Sequence, residues 1–276
     1  NNDGKMEICL APHYKIQVLD AATGFTRYVA TWDVGRNYGH FAAADVDGDG
    51  IRDFVVISDF ATHLSVIKNA GSSASLLWKH TYALVDGSER DVIVLPNPHS
   101  VGDLDGDGTC EVTLSLFNRP VQDLKWHATA YRGADGTVAM NIPDRYIYGI
   151  RDADNDGAKE LFTIECFGTT PPLFGKLQVF NWTATSGAQA RLTVEHATFV
   201  RTRIGADTTW NTIAAHGDET VLLSDLDGDG IEEFLTLEDT DGDFRGDRLR
   251  SWQVAAAGIS QRMEYVSSAP IAVVNV

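Results

Sequence analysis

Four short acidic segments of the chain share one spacing of side chains that could bind a metal ion. Each segment has an acid at positions 1, 3 and 5, glycine at position 6 and a further acid at position 9. We call these segments loop A (45–53), loop B (103–111), loop C (152–160) and loop D (225–233). The acids are Asp45, Asp47, Asp49 and Asp53 in loop A, Asp103, Asp105, Asp107 and Glu111 in loop B, Asp152, Asp154, Asp156 and Glu160 in loop C, and Asp225, Asp227, Asp229 and Glu233 in loop D. The repeated spacing predicts a cation site in each loop.

The ligand atoms indicate which cation the loops should bind. The backbone carbonyl at position 7 and the acid at position 9 can complete a cage made only of oxygen. Hard oxygen ligands in a flexible loop suit Ca²⁺ better than Mg²⁺, which requires strict octahedral geometry and retains its waters. We therefore expect about four Ca²⁺ sites, and the alternative is a set of Asp/Gly-rich turns without metal. The residues at position 7 are Ile51, Thr109, Ala158 and Ile231.

An EF-hand is the competing interpretation of the acidic spacing. An EF-hand needs a bidentate glutamate at position 12, between two helices. The residues at that position are Val56, Leu114, Thr163 and Thr236, which lie in segments of strand-like composition. The EF-hand interpretation therefore fails, and the acid at position 9 takes the closing role.

Two further acidic segments depart from this pattern. Segment 239–247, which we call loop E, has Asp at positions 1, 3, 5 and 9 but Phe244 at position 6. It is a degenerate metal candidate, with a solvated acidic loop as the alternative. The second segment is split between the termini, with Asn275 at position 1, Asn1 at position 3, Asp3 at position 5 and Glu7 at position 9. It predicts a fifth loop, either at the seam of a closed ring or at the boundary of a longer tandem array.

The segments around the loops are typical of β-strands. Each loop is followed by a short run rich in β-branched and aromatic residues, such as 54–57 or 234–237, and no helical period surrounds it. A second strand signal follows about 15 to 25 residues later, commonly ending at a glycine turn. Units of about 50 residues with four short strands have the size of propeller blades. We expect one all-β domain over 1–276, a β-propeller of about five four-stranded blades that could be part of a larger ring, with Trp32 and Trp78 packing between blades.

The loops resemble the FG-GAP/VCBS repeat family, whose members are calcium-loop propellers in integrin α-chain heads, fungal lectins, bacterial surface proteins and polysaccharide lyases. The resemblance rests on the four complete loops and covers nearly the whole chain, although no seventh repeat is evident. It implies a Ca²⁺-stabilised binding or adhesion module for carbohydrate or extracellular protein ligands. It also implies a secreted, cell-surface or periplasmic protein with flanking domains in a longer parent chain.

The negative charge of the chain excludes some partners, and its histidines, tyrosines and arginines suggest an alternative function. The formal net charge is −17, so nucleic acid and anionic lipid are poor partners, and no apolar run is long enough for membrane insertion. No catalytic triad or HExxH motif occurs. A polysaccharide lyase is the alternative function, since His or Tyr could act as base and Arg could bind a uronate. The candidate ligand-binding residues are Arg36, Tyr38, His40, His99, Arg145 and Tyr146, and the simpler interpretation is that they are polar residues at strand ends.

Overall fold

The structure is a computed structural model that describes most of the chain. The described ranges are 4–10, 15–31, 41–58, 63–82, 92–94, 100–118, 121–168, 172–203 and 219–267. Within these ranges the chain forms β-strands and no helix, and every strand pairing is antiparallel. The all-β prediction is therefore confirmed.

The first two sheets are simple meanders. Sheet 1 has three strands, β1 (Glu7–Leu10), β2 (Lys15–Asp20) and β3 (Thr26–Thr31). Sheet 2 has four strands in sequence order, β4 (Phe41–Ala44), β5 (Asp53–Ser58), β6 (His63–Asn69) and β7 (Ala74–Thr81). The four-strand unit predicted from the repeat length is thus present in sheet 2.

Sheet 3 keeps the same order with a divided outer strand. Its strands are β8 (Val92–Val94), β9 (Val101–Gly102), β10 (Glu111–Phe117), β11 (Trp126–Arg132) and β12 (Val138–Pro143). Both β8 and β9 pair with β10, one at each end. The segment before loop B therefore contacts the strand after loop B, as β4 contacts β5 in sheet 2.

Sheet 4 joins two meanders edge to edge. The first meander is β13 (Arg145–Arg151), β14 (Glu160–Glu165), β15 (Gly175–Thr183) and β16 (Gly187–Phe199), and the second is β19 (Leu223–Ser224), β20 (Glu233–Glu238), β21 (Arg248–Ala255) and β22 (Gly258–Val266). The end of β16 pairs with β20 from Ala197↔Glu238 to Phe199↔Thr236. A separate ribbon pairs β17 (Arg201–Arg203) with β18 (Glu219–Val221).

The sheets pack face to face in chain order. In β5, Phe54 and Val56 point into a core shared with sheet 1, while Val55 and Ile57 point into a core shared with sheet 3. This is the alternation of a strand whose two faces are both buried. Sheets 3 and 4 share two further cores, one of which contains Trp126. Apolar burial on both faces of the sheets therefore holds consecutive units together.

The closed ring of about five blades is not seen. No pairing among the described strands joins sheet 4 back to sheet 1, and the described sheets contain three, four, five and eight strands besides the two-stranded ribbon. The segments 1–3 and 268–276, which carry the predicted seam, lie outside the described residues. The architecture shown is a series of packed antiparallel sheets.

Candidate metal centres

Each predicted loop connects the first strand of a unit to its second strand. Loop A joins β4 to β5, loop B joins β9 to β10, loop C joins β13 to β14, and loop D joins β19 to β20. The position-1 aspartate accepts the amide of position 6 at 2.8–3.2 Å in all four loops. Position 6 is in the left-handed region, with φ of 84–98°, where glycine has no steric penalty. The turn thus directs successive carboxylates to one side.

The carboxylates converge as the spacing predicts. In loops A, B and C, one ligand oxygen from each of positions 1, 3 and 9 lies within 4.8 Å of the other two. In loop D the same convergence joins positions 1, 3 and 5, Asp225, Asp227 and Asp229. At position 7, the amide nitrogen donates to the position-5 carboxylate at 2.8–2.9 Å in each loop. These clusters could hold a metal ion; coordination by the position-7 carbonyls and the choice of Ca²⁺ stay predictions.

The closing acid at position 9 is the most buried of the acids in each loop. Asp53, Glu111 and Glu160 are 0% exposed and Glu233 is 2% exposed. In every loop one of its oxygens accepts the backbone amide of position 2, at 2.8–3.3 Å. Burial raises the pKa of Glu111 and Glu160 to about 7 and also raises the pKa of Asp53. Carboxylates that are costly to ionise without a counter-charge are well suited to binding a cation.

The hairpins that follow the loops repeat one register in all five units. In each hairpin, a bulge places one extra residue on the last strand. The bulge always lies opposite the two residues that come just before the partner of position 9 on the preceding strand. Glu7 pairs with Asp20 in sheet 1 as Glu111 pairs with Arg132 in sheet 3 and Glu233 with Gln253 in sheet 4. The extra residues are Arg27, Leu77, Ala139, Arg191 and Arg262.

This register brings one basic side chain to each unit, a feature that the sequence analysis missed. Where the bulge residue is apolar, the residue opposite position 9 is basic, as Lys68 and Arg132 show. Elsewhere the bulge itself is arginine. Lys68 Nζ lies 2.9 Å from Asp49 and also contacts Asp47. Arg262 lies 2.9 Å from Asp227 in an exposed pair.

Arg191 and Arg132 differ most in how closely they approach the acids of their loops. The guanidinium of Arg191 lies 2.7 Å from Asp154 and 3.3 Å from Glu160, and all three side chains are almost fully buried. Arg132 makes no ion pair with loop B in the part of the chain that the structure describes. Hydrogen bonds from Thr109 and, at longer range, the charge of Arg132 lower the pKa of Asp107.

Loop E reproduces the turn at a different place in the fold. It connects β20 to β21, the second and third strands of its unit, and its ligand atoms on Asp239, Asp241 and Asp243 also lie within 4.8 Å of one another. Phe244 adopts φ of 63° and its amide donates to Asp239 at 2.9 Å, as glycine does at position 6 elsewhere. The degenerate sequence therefore retains the geometry of the complete loops.

The split loop is described only at its end. Glu7 lies in β1, with Arg27 Nη1 at 3.2 Å, whereas Asn1, Asp3 and Asn275 lie outside the described residues. The register of β1 and β2 nevertheless places Glu7 at the equivalent of position 9. Its assignment to a fifth metal loop stays a prediction.

Of the six predicted ligand-binding residues, the structure describes Arg145 and Tyr146. Arg36, Tyr38, His40 and His99 lie outside the described residues. Tyr146 is 2% exposed, with its ring centroid 5.1 Å from that of Trp126. Arg145 lies 3.3 Å from Glu165 and also donates to Gln178. These two side chains are therefore engaged within and between sheets rather than presented on an open surface, and no described contact favours the lyase alternative.

Comparisons with known proteins do not assign a family. No family model and no curated protein matches the chain. Among solved structures, an Agrocybe aegerita lectin that recognises non-reducing terminal N-acetylglucosamine matches at 15% identity with a TM-score of 0.48, covering 96% of this chain and 63% of its own. The rhamnogalacturonan lyase YesW matches at 14% identity with a TM-score of 0.41, covering 92% and 59% respectively. Bacillus licheniformis rhamnogalacturonan lyase PL11 also matches at 14% identity and 0.41, covering 90% and 57%.

The matched structures are all longer than this chain. The chain spans about three fifths of the length of each of these structures. With TM-scores below 0.5, the likenesses assign neither an activity nor a ligand to the chain. None of the described residues forms a helix long and apolar enough to cross a membrane.

Proposed function

We propose that this chain is a calcium-binding repeat module of the FG-GAP/VCBS type that acts in binding rather than in catalysis. The observation that supports the proposal most directly is the convergence of three carboxylates within 4.8 Å in each of four equivalent loops. Like charges at such distances in a partly desolvated turn repel one another strongly unless positive charge lies beside them. A divalent cation in each loop would remove that repulsion and fix the first strand of each unit to its second.

The test is the dependence of stability on calcium. The chain is purified in Ca²⁺, analysed for metal content, and unfolded thermally in 5 mM Ca²⁺ and in excess chelator. Because a ligand that binds only the native state stabilises it by mass action, we expect the chelator to lower the Tm by about 5 °C or more. Absence of metal after purification in Ca²⁺, together with identical melting curves, would contradict the proposal.

A matched pair of neutralising variants separates calcium binding from general acidity. Asp47→Asn and Asp227→Asn each remove a position-3 carboxylate, and each should lower the bound calcium by about one ion per chain. Glu195→Gln also removes one negative charge, but Glu195 pairs with Lys176 on a sheet surface and belongs to none of loops A to D. This control should retain the calcium content and the Tm difference of the original chain.

The packed sheets are proposed to be blades of a propeller of about five units. The support comes from the five repeated hairpin registers and from the face-to-face order of the sheets. A compact ring of this length should have a radius of gyration of about 19 Å in small-angle X-ray scattering. A clearly larger value in saturating Ca²⁺ would indicate an open stack of sheets and count against the ring.

The proposed ligand is a carbohydrate or an extracellular protein, bound by a secreted or cell-surface module. The support is the resemblance of the loops to a family rich in such modules, and extracellular Ca²⁺ is abundant enough to fill loops of modest affinity. A glycan array and a panel of matrix proteins, both probed with and without Ca²⁺, test this proposal. Binding that requires Ca²⁺ is expected, and no binding across both panels would count against it.

A further inference from the structure

The second oxygen of the closing carboxylate differs between loop B and the other loops. In loop A, Asp53 Oδ1 accepts the amide of Asn69 at 2.8 Å. In loop D, Glu233 Oε1 accepts a hydrogen bond from the side-chain amide of Gln253 at 3.3 Å. In loop C, Glu160 Oε1 accepts from the guanidinium of Arg191 at 3.3 Å. Three loops therefore provide both oxygens of this buried acid with a donor from their own chain.

In loop B, the part of the chain that the structure describes provides no donor for that oxygen. Glu111 is fully buried, and its Oε1 has no hydrogen-bond partner among the described residues, while its Oε2 accepts the amide of Leu104 at 3.0 Å. A ligand oxygen of Glu111 lies within 4.8 Å of ligand oxygens of both Asp103 and Asp105. A buried, unsatisfied carboxylate oxygen beside two other carboxylates is costly, and a bound cation would satisfy all three.

Loop C shows how the same position is filled by a side chain. Arg191 Nη1 contacts two of the three clustered acids, Asp154 and Glu160, and Nη2 donates to the carbonyl oxygen of Ala255. The third acid, Asp152, has a buried Oδ1 without a hydrogen-bond partner among the described residues, so the arginine offsets the charge of the cluster but does not satisfy all of its oxygens. The Arg191 side chain is only 12% exposed, so it is held within the loop rather than lying over it. In sheet 3 the equivalent bulge residue is Ala139, which has no charge to offer.

We propose that loop B is the principal divalent-cation site of the chain, and that Arg191 takes the place of a divalent cation in loop C. This inference rests on the proposed function, because it ranks loops that are proposed there to bind Ca²⁺. Loop C then binds Ca²⁺ only when the guanidinium leaves Asp154 and Glu160. Loop B remains loaded at Ca²⁺ concentrations at which loop C is held by its arginine.

The experiment compares the same substitution at the same position of the two loops. The full chain is stripped of metal and titrated with Ca²⁺ by calorimetry and by equilibrium dialysis against radioactive calcium. Asp105→Asn in loop B should weaken the tightest site by about a hundredfold or more, because it removes one anionic ligand. Asp154→Asn in loop C should leave the tightest site within about threefold of the original. Loss of the tightest site in Asp154→Asn, or its retention in Asp105→Asn, would overturn the ranking.

Substitution of the arginine tests the second half of the proposal. Arg191→Gln should tighten one of the weaker sites by about tenfold or more, because it removes a competing positive charge. Arg191→Lys retains the charge without the planar fork and should give an intermediate affinity, and circular dichroism in Ca²⁺ verifies that both variants fold. Unchanged affinities at every site in folded Arg191→Gln would overturn the role of Arg191.

The outcomes separate this inference from the proposed function. If the original chain binds no Ca²⁺ up to 10 mM, both proposals fail. If it binds Ca²⁺ at several equivalent sites, and Asp105→Asn and Asp154→Asn each remove one of them equally, the proposed function stands and the ranking of loops fails. A single tight site lost only in Asp105→Asn supports both.

Discussion

The indole nitrogen of Trp78 donates a 2.6 Å hydrogen bond to the carbonyl oxygen of Gly133, which lies in the hairpin turn of the next sheet. Trp78 is 9% exposed and packs in a core that sheets 2 and 3 share. The expected inter-blade role is thus confirmed for this tryptophan as packing between sheets, while Trp32 lies outside the described residues. His80 and Tyr82 add polar contacts across the same interface, to the carbonyl oxygen of Gly136 and the hydroxyl of Tyr131, and together these contacts fix the register of the two sheets.

Gly133→Ala should lower the free energy of unfolding by about 3 kcal/mol, because the interface around Gly133 is too tight for a methyl group. A Cβ there would lie 2.5 Å from the carbonyl oxygen of Cys110 and 2.6 Å from that of Val46. Gly187→Ala is the matched control, since nothing lies within 4 Å of its Cβ and only its φ of 68° is unfavourable. The control should lose about 1 kcal/mol, and equal losses in urea denaturation would contradict this account.

Phe244→Gly should raise the stability of the chain by about 1 kcal/mol, because it removes a side chain from a left-handed position. Phe244 is 72% exposed at φ of 63°, so little apolar burial is lost with its ring. Gly230→Ala makes the reverse change at the same position of loop D and should lower the stability by a similar amount. Thermal unfolding of both variants in chelator gives the comparison, and a destabilised Phe244→Gly would indicate that the ring has a packing role.

The strands and the loops could be predicted because each depends on residues close together in the sequence. The acids of loop B lie within nine residues, and their turn is closed by contacts inside the loop. The strand after each loop alternates or is continuously apolar, as β10 shows. Local spacing therefore determined both features, and loop E retained the turn even though Phe244 replaces the expected glycine.

The basic side chains could not be predicted from spacing. Lys68 follows Asp53 by 15 residues, whereas Arg191 follows Glu160 by 31, because Lys68 lies on the strand opposite position 9 and Arg191 lies at the bulge of the strand after that. What the units share is a cross-strand register with one bulge, and a register is fixed only when two strands pair. The number of blades is likewise decided by contacts between the first and last sheets, which no local pattern encodes.

In chelator, the stability of the chain should fall as the pH rises from about 5 to about 8. Burial raises the pKa of Glu111 and Glu160 from 4.5 to about 7, so between these values the native state binds more protons than the unfolded state. The stabilisation is fully present below the unfolded-state pKa and is lost as the pH rises through the folded-state pKa. Urea denaturation at several pH values measures this slope.

Calcium should oppose that pH dependence, because cation binding requires ionised carboxylates and releases protons. The control for the carboxyl groups is Glu111→Gln in chelator, which should reduce the slope between pH 5 and 8 to the part that Glu160 contributes. The alternative result, an unchanged slope in Glu111→Gln, would indicate that other groups titrate in this range.

Arg191→Gln and Arg262→Gln should differ sharply in chelator, although both remove the bulge arginine of an equivalent hairpin. Arg191 is buried against Asp154 and Glu160, so its loss leaves uncompensated carboxylates and should cost about 3 kcal/mol. Arg262 is 44% exposed beside Asp227, where water screens the pair, and its loss should leave the urea midpoint unchanged. Saturating Ca²⁺ should restore much of the stability of Arg191→Gln, since the cation takes over the charge that the arginine supplied. Equal effects of the two substitutions, or no rescue by Ca²⁺, would show that Arg191 acts through packing rather than through its charge.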